Sequence, residues 1–337
     1  MSATAEDAAA QPALTEPFEI GGVPISNRVL LAPLAGIGNW FVRLQAKRHG
    51  AGLAVSEMVS SFALHYRNER TMRELMRIHP DEHPVSVQLF GHDAEVMRSG
   101  AAIAAEAGAD LIDINMGCPV PKVRRTGAGA QLLREPELAL ALARGAAAGS
   151  DLPVTVKLRS GIEAGDRSGF DLAIRLAEEA GVAAIAFHPR AATKGHKGKP
   201  DYELTRELAE RVEVPVIVSG GLSSAEAARS AYCESGADAV MIARGSLGNP
   251  WLFEELTGRR SEPPTRGEIV AELQWVVGSA EEHLGPERAE RYLRKFYPWY
   301  MERLEAPAAV AEELQRSASL GRARELIGTL GEPASVA

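Results

Sequence analysis

Residues 85–117 read VSVQLFGHDAEVMRSGAAIAAEAGADLIDINMG. VSVQLF (85–90) and LIDINMG (111–117) are short apolar runs, and AEVMRSGAAIAAEAGA (94–109) between them has helical character and stops at a glycine before the next run. Neither run alternates polar with apolar, as expected of parallel strands covered by helices on the outside. A helix ending at glycine just ahead of a strand is ordinary stop chemistry. The stretch is therefore a strand–helix–strand unit.

The same unit recurs in both directions. VLLAPLA (29–35) and LAVSEM (53–58) precede it; VTVKLR (154–159), AIAFH (184–188), VIVSGG (216–221) and AVMIAR (239–244) follow. Helical stretches at 136–149, 170–181 and 224–237 lie between them. Eight such units over roughly 240 residues predict an α/β fold, a closed (β/α)8 TIM barrel. A doubly wound sheet is the alternative. It would place a glycine fingerprint after the first strand, where this chain has APLAGIGNW (32–40) instead of G-x-G-x-x-G. After TGRRSEPPT (257–265) the texture changes to helices only: 267–285, 286–305, 307–317 and 321–330. The expected division is a flexible tail over 1–16, a barrel over 17–256, a linker over 257–265 and a small all-helical C-terminal domain over 266–337.

The formal charge of -8 and the pI near 5.6 exclude a uniformly basic nucleic-acid binder but leave room for a local basic face. Two cysteines, Cys118 and Cys233, make no disulfide framework, which fits a reducing cytoplasm. MSATAEDAAAQPA lacks the basic start and apolar core of a signal peptide, and no apolar run is long enough to span a bilayer.

Barrel chemistry gathers at the carboxyl ends of the strands. Those ends supply Pro33, Leu34 and Ala35; Glu57; Gln88; Asn115 with Cys118 beyond it; Lys157 and Arg159; His188 and Arg190; Ser219-Gly220-Gly221; and Ala243-Arg244-Gly245-Ser246. Singly, Gln88 or Asn115 can tie down a loop, and Lys157 can pair internally with Glu57. Polar groups spread over one rim of apolar strands are harder to explain by structure alone. SGGLSSAEAA (219–228) and ARGSLGNPWLF (243–253) place glycines before helix starts, where backbone N–H groups can cradle an anion. Tight turning is the plain alternative; a phosphate-bearing cofactor is the reading preferred, with Arg244 adding a charged fork. Cys233, inside a helical stretch, reads as a packed thiol. Cys118, in NMGCPVPKV (115–123), reads as reactive, able to attack or to donate a proton. No metal site is expected, because His188 and His196 lack further ligands at suitable spacing.

The ordered set LAPLAGIGNWFVRL, GAGLAVSEMVSS, VSVQLFGHD, DINMGCPVPKVRRTGAGAQLL, TVKLRSG, SGGLSSAEAA and MIARGSLGNPWLF resembles the bacterial tRNA-dihydrouridine synthases, most closely the B-type group, over about residues 18–305. That resemblance implies an FMN-containing barrel whose helical domain helps hold tRNA. It implies reduction of selected uridines to 5,6-dihydrouridine with NADPH, or NADH, as reductant. It implies Cys118 as general acid, and Pro33 and Ala35 in the loop beneath the flavin. Gln88, Lys157 and His188 match flavin-contacting positions; Gly220, Gly221, Arg244 and Gly245 match the phosphate-binding segments, with Ser219 where an asparagine is usual. Asn115 falls where the uracil would lie. Arg190 and, on the helical domain, Arg291, Arg294 and Lys295 are the expected tRNA contacts, beside basic groups at Lys122, Arg124, Arg125, Lys194, Lys197, Lys199 and Arg288. No obligatory protein partner and no membrane are expected. The departures from the family's usual pattern are HPRA (188–191), Ser219, Met116 and RKFYPWY (294–300). Rival readings are an FMN barrel acting on a free pyrimidine, a Schiff-base aldolase using Lys157, and a noncatalytic RNA-binding protein on a barrel scaffold.

Overall fold

The computed structural model describes residues 11–331, so positions 1–10 of the expected tail and 332–337 of the helical region lie outside the described residues. Eight parallel strands run β1 (Val29–Leu31), β2 (Leu53–Val55), β3 (Val85–Phe90), β4 (Leu111–Met116), β5 (Val154–Arg159), β6 (Ala184–His188), β7 (Val216–Ser219) and β8 (Ala239–Ile242). Each pairs with the next, and β8 returns to β1 with Val240 opposite Val29. The ring is closed, which decides against the doubly wound alternative. Nearly every strand residue is buried, because side chains pointing inward fill the barrel and those pointing outward meet helices.

Four of the apolar runs are shorter by two residues or more as strands than as sequence. Pairing stops at Leu31, Val55, Ser219 and Ile242, and the residues beyond splay into the rim loops. The covering helices are set by local chemistry. Asp93 accepts from the Val96 N–H to open the helix Ala94–Glu106, Ser224 does the same for Ala225–Ser235, and Gly181 and Gly236 close two helices in the left-handed region.

A hairpin absent from the sequence reading closes the far end of the barrel. Phe18–Ile20 pairs antiparallel with Val23–Ile25 around Gly21-Gly22, both at positive φ. Ile20 and Ile25 are wholly buried against Leu30, Leu53, Leu111, Ile217 and Met241. The available signal was the Gly-Gly pair between short runs. Residues 11–16 lie against the molecule as well: Gln11 Nε2 donates to the Tyr232 and Ala237 carbonyls, and Leu14 is buried.

From Thr265, whose hydroxyl forms a capping box with Glu268, the chain is helical: Arg266–Leu284, Pro286–Leu293, Tyr297–Arg303, Ala308–Arg316 and Leu320–Thr329. The run 286–305 is two helices, not one, because Pro298 fits only the first turn of a helix. These helices share a core with the barrel helix Trp40–Arg48: Phe41 packs edge-on against Tyr292, and Gln45 Nε2 donates to Glu272 at 2.8 Å and to the Tyr300 hydroxyl at 2.9 Å. Cys233 corrects an expectation. It lies in a helix but is exposed, because Ala228, Ala231, Tyr232 and Ser235 form the buried face.

Candidate functional site at the carboxyl rim

One cleft of about 1060 Å³ opens at the carboxyl rim. It brings together Pro33 and Ala35 after β1, Gln88 at β3, Asn115 and Cys118 at β4, Lys157 at β5, and His188 and Arg190 at β6. It also takes Ser219, Gly220 and Gly221 after β7 and Arg244 and Gly245 after β8. The helical region reaches the same cleft with Trp299, Glu302 and Arg303, none of which the sequence reading singled out. Arg291, Arg294 and Lys295 are not on its wall.

The β3–β5 side is a network of fixed side chains. Asn115 Oδ1 accepts the Gly117 and Cys118 N–H groups at 3.2 and 3.0 Å. Its Nδ2 donates to Gln88 Oε1 at 2.8 Å, and Gln88 Nε2 donates to Asp113 at 2.7 Å. Arg159 donates to the Gly117 carbonyl at 3.1 Å and also to the Ala191 and Gly195 carbonyls, so it ties the Cys118 turn to the loop after β6. Cys118 itself is half-buried.

Lys157 is half-buried on the cleft wall, and its ammonium donates to Ser219 Oγ at 3.1 Å. Burial, then the Arg159 charge, lowers its pKa to about 8. Internal pairing with Glu57 is not what the structure has. Glu57 accepts the Gly36 N–H at 2.7 Å, and burial raises its pKa. His188 is held neutral by burial and by the positive charges of Lys157, Arg159 and Arg190. Arg190 only donates, so the His188 Nε2 that faces it at 3.3 Å is the acceptor and the ring proton sits on Nδ1.

The β7–β8 side is built from backbone. Gly220 and Gly221 have φ of 96° and 83°. A Cβ on Gly220 would stand 2.3 Å from His188 Nε2, one on Gly221 2.6 Å from the Tyr202 hydroxyl, and one on Gly245 2.5 Å from the Leu222 carbonyl. These positions need glycine, and they sit at the start of the helix Ala225–Ser235 and of the turn Arg244–Ser246.

The basic groups of the helical region have separate duties. Arg288 pairs with Glu74 at 2.7 Å, and with Arg73 and Arg70 beside it this holds the Glu74 carboxyl down to about 2 against the opposing effect of burial. Arg294 pairs with Glu290 at 2.9 Å, and Arg291 is exposed. Lys295 is exposed yet donates to the Gly36 carbonyl at 3.0 Å, while the Tyr292 hydroxyl donates to the Ile37 carbonyl at 2.9 Å. Both therefore hold the loop after β1. Lys194, Lys197 and Lys199 border a second hollow of about 560 Å³ that shares Arg190 with the cleft.

A parallel barrel whose carboxyl rim joins a glycine cradle, a half-buried lysine and one thiol defines a cofactor-dependent barrel enzyme. Solved structures of that fold include an old yellow enzyme homologue from Zymomonas mobilis (TM-score 0.57, 16% identity, 75% of this chain and 94% of that one). Morphinone reductase is a second (TM-score 0.55, 18% identity, 77% and 94%). Residues 30–330 match the dihydrouridine synthase family model. The chain is 34% identical over 318 residues to a probable tRNA-dihydrouridine synthase 1 of Synechocystis sp., covering 93% of this chain and 88% of the relative. It is 36% identical over 289 residues to tRNA-dihydrouridine synthase B of Pseudomonas aeruginosa, covering 84% and 86%. The chain belongs to the dihydrouridine synthase family, and it is an oxidoreductase. Among the described residues, no helix is long and apolar enough to cross a membrane.

Proposed function

We propose that this protein reduces uridines of tRNA to 5,6-dihydrouridine, using FMN and a reduced nicotinamide dinucleotide, NADPH or NADH. The observation that carries the reading is the meeting of Cys118, Lys157 and the β7–β8 glycine cradle in one cleft bordered by the helical region. The cradle fits a phosphate-bearing group, since Gly220, Gly221 and Gly245 have no room for a Cβ against His188, Tyr202 and the Leu222 carbonyl and so present bare backbone on the cleft wall. Gly220, Gly221, Gly245 and Arg244 would hold the FMN phosphate, with Pro33, Ala35, Gln88, Lys157, His188 and Ser219 along the rest of the flavin. Bound FMN would supply the hydride that saturates uracil C6, having been reduced by the dinucleotide.

The chain's own part is positioning and proton transfer. Cys118 gives its thiol proton to uracil C5 as the C5–C6 double bond is lost, and the resulting thiolate regains a proton from solvent. Asn115 holds that cysteine from below through its backbone. Lys157 is the half-buried cation on the cleft wall that would offset developing negative charge. A base can reach the cleft only after leaving the tRNA stack, and exposed Arg291, with Arg190 and its lysine neighbours, is the first candidate for the backbone of the folded RNA, ahead of Arg294 and Lys295, which already have partners in the protein.

The purified protein should be yellow and release FMN on denaturation. Under anaerobic conditions NADPH should bleach the flavin, and unmodified tRNA should restore its colour with dihydrouridine in the product. Reoxidation by free uracil or orotate and not by tRNA would assign the protein to small-molecule chemistry instead.

A further inference from the structure

Asp113 lies in the middle of β4, whose only other polar residue is Asn115, and is almost completely buried with no cationic partner in contact. Such a group costs stability unless its hydrogen bonds are used. Its two oxygens are used. Thr155 Oγ donates to Oδ1 at 2.6 Å and Gln88 Nε2 to Oδ2 at 2.7 Å.

The direction of those bonds propagates. A carboxyl oxygen facing Gln88 admits only the NH2 end of that amide, so Gln88 Oε1 must point the other way. There it accepts from Asn115 Nδ2 at 2.8 Å. Asn115 Oδ1 is thereby turned to the Gly117 and Cys118 N–H groups. Read from the other end the order is the same, because two backbone N–H groups can be met only by an oxygen. Gln88 keeps one N–H in reserve, the second Asn115 N–H has only the weak acceptor Met58 Sδ at 3.7 Å, and both residues line the cleft. Burial raises the Asp113 pKa, and the bonds from Gln88 and Thr155 pull it down. Either protonation state leaves one oxygen free to accept from Gln88.

We propose that Asp113 is a positioning residue whose acceptor oxygen sets the polarity of this chain. Gln88 and Asn115 then show only N–H donors to the cleft, and the Cys118 turn is held at a fixed height. Donors at these two positions suit carbonyl oxygens, such as those of uracil or of an isoalloxazine ring, and repel the amino group of cytosine. The consequence for the base rests on the uridine-reduction reading; the hold on Cys118 does not.

The test compares Asp113→Asn with Asp113→Leu in the full-length holoprotein. Asparagine keeps an acceptor toward Gln88 and can donate to Thr155 Oγ, while leucine keeps volume and removes the acceptor. Reoxidation of reduced flavin by tRNA is expected to fall about 100-fold in Asp113→Leu and to stay near normal in Asp113→Asn. Reduction by NADPH should change far less. Alkylation of Cys118 by iodoacetamide should be severalfold faster in the leucine variant alone, as its turn loosens. That readout holds whether or not tRNA is the substrate, so failure of the tRNA reaction in the unmodified protein would sink the functional reading and not this one. Equal losses in both variants, or unchanged Cys118 alkylation in Asp113→Leu, would overturn the proposal. If the leucine variant does not fold, Asp113→Ala is read in the same way.

Discussion

The two sides of the rim are built from different materials. From β3 to β5, side chains carry the site, each held by another: Asp113, Gln88, Asn115 and the Cys118 turn in series, with Arg159 across the top. After β7 and β8 the backbone carries it, through glycines that no other residue can replace. The difference suits the two tasks proposed for them. A proton donor has to stand at one point, which takes a rotamer locked by neighbours. A phosphate spreads its charge over several oxygens and is met best by N–H groups that have no side chain in front of them.

The comparison breaks first at Cys118. Cys118→Ala should keep FMN and its reduction by NADPH, while the step with tRNA slows by about 100- to 10,000-fold. Separate anaerobic measurement of the two half-reactions checks this; a normal rate of reoxidation by tRNA would remove Cys118 from the role of acid. Gly220→Ala should do the reverse and strip the protein of flavin. Its Cβ would overlap the His188 ring at a φ of 96°, a strain of about 1–3 kcal/mol that corresponds to roughly 10- to 100-fold weaker binding. Equilibrium dialysis against FMN reads it, and full flavin content in the variant would refute the cradle.

How much of this was legible in the sequence follows the same division. Glycines before helix starts and a lone cysteine between Gly117 and Pro119 are local patterns, so both sides of the rim stood out as candidates, and the eightfold strand–helix repeat fixed the barrel. Asp113 was passed over inside LIDINM, although a charge in a buried run is itself a signal. Trp299 and Arg303 carry no such mark. They enter the cleft because the helical region packs on Phe41 and Gln45, a long-range consequence of core packing. The same packing means that cutting the chain at residue 266 would bare the barrel's own core, so point substitutions are the cleaner probes of the helices.

Lys157 joins the two sides, since it leaves β5 and donates to Ser219 on β7. Its pKa is lowered from 10.5 to about 8, so it titrates earlier when folded than when unfolded. Below about pH 8 both states carry the charge and the burial cost is present in full. Between pH 8 and 10.5 the unfolded chain binds the extra proton, so stability rises with pH across that window and levels off above it. Lys47, lowered in the same direction, adds a slope of its own. The expected result for flavin-free protein is therefore a shallower rise in melting temperature for Lys157→Met than for the unmodified chain. Parallel curves would mean that Lys157 keeps its ordinary pKa when folded and stays charged across the window.

The smallest effects separate the charges of the helical region. Arg291 is exposed on the helix Pro286–Leu293, Arg294 is already paired with Glu290, and Lys295 is spent on the Gly36 carbonyl. If the first serves the RNA, Arg291→Ala should weaken tRNA binding a few-fold and lower the slope of log affinity against log salt by about one. Arg294→Ala should do less, because part of its charge is offset by the glutamate. Lys295→Met should act elsewhere. It frees one anchor of the loop that carries Pro33 and Ala35, while Tyr292 keeps the other. The flavin absorbance should shift and FMN affinity should fall slightly, with little change in the salt slope. Titrations of tRNA at several salt concentrations, beside flavin spectra of the same three variants, distinguish these outcomes. A salt slope that drops for Lys295→Met and stays fixed for Arg291→Ala would exchange the two roles, making the lysine the RNA contact and the arginine a bystander.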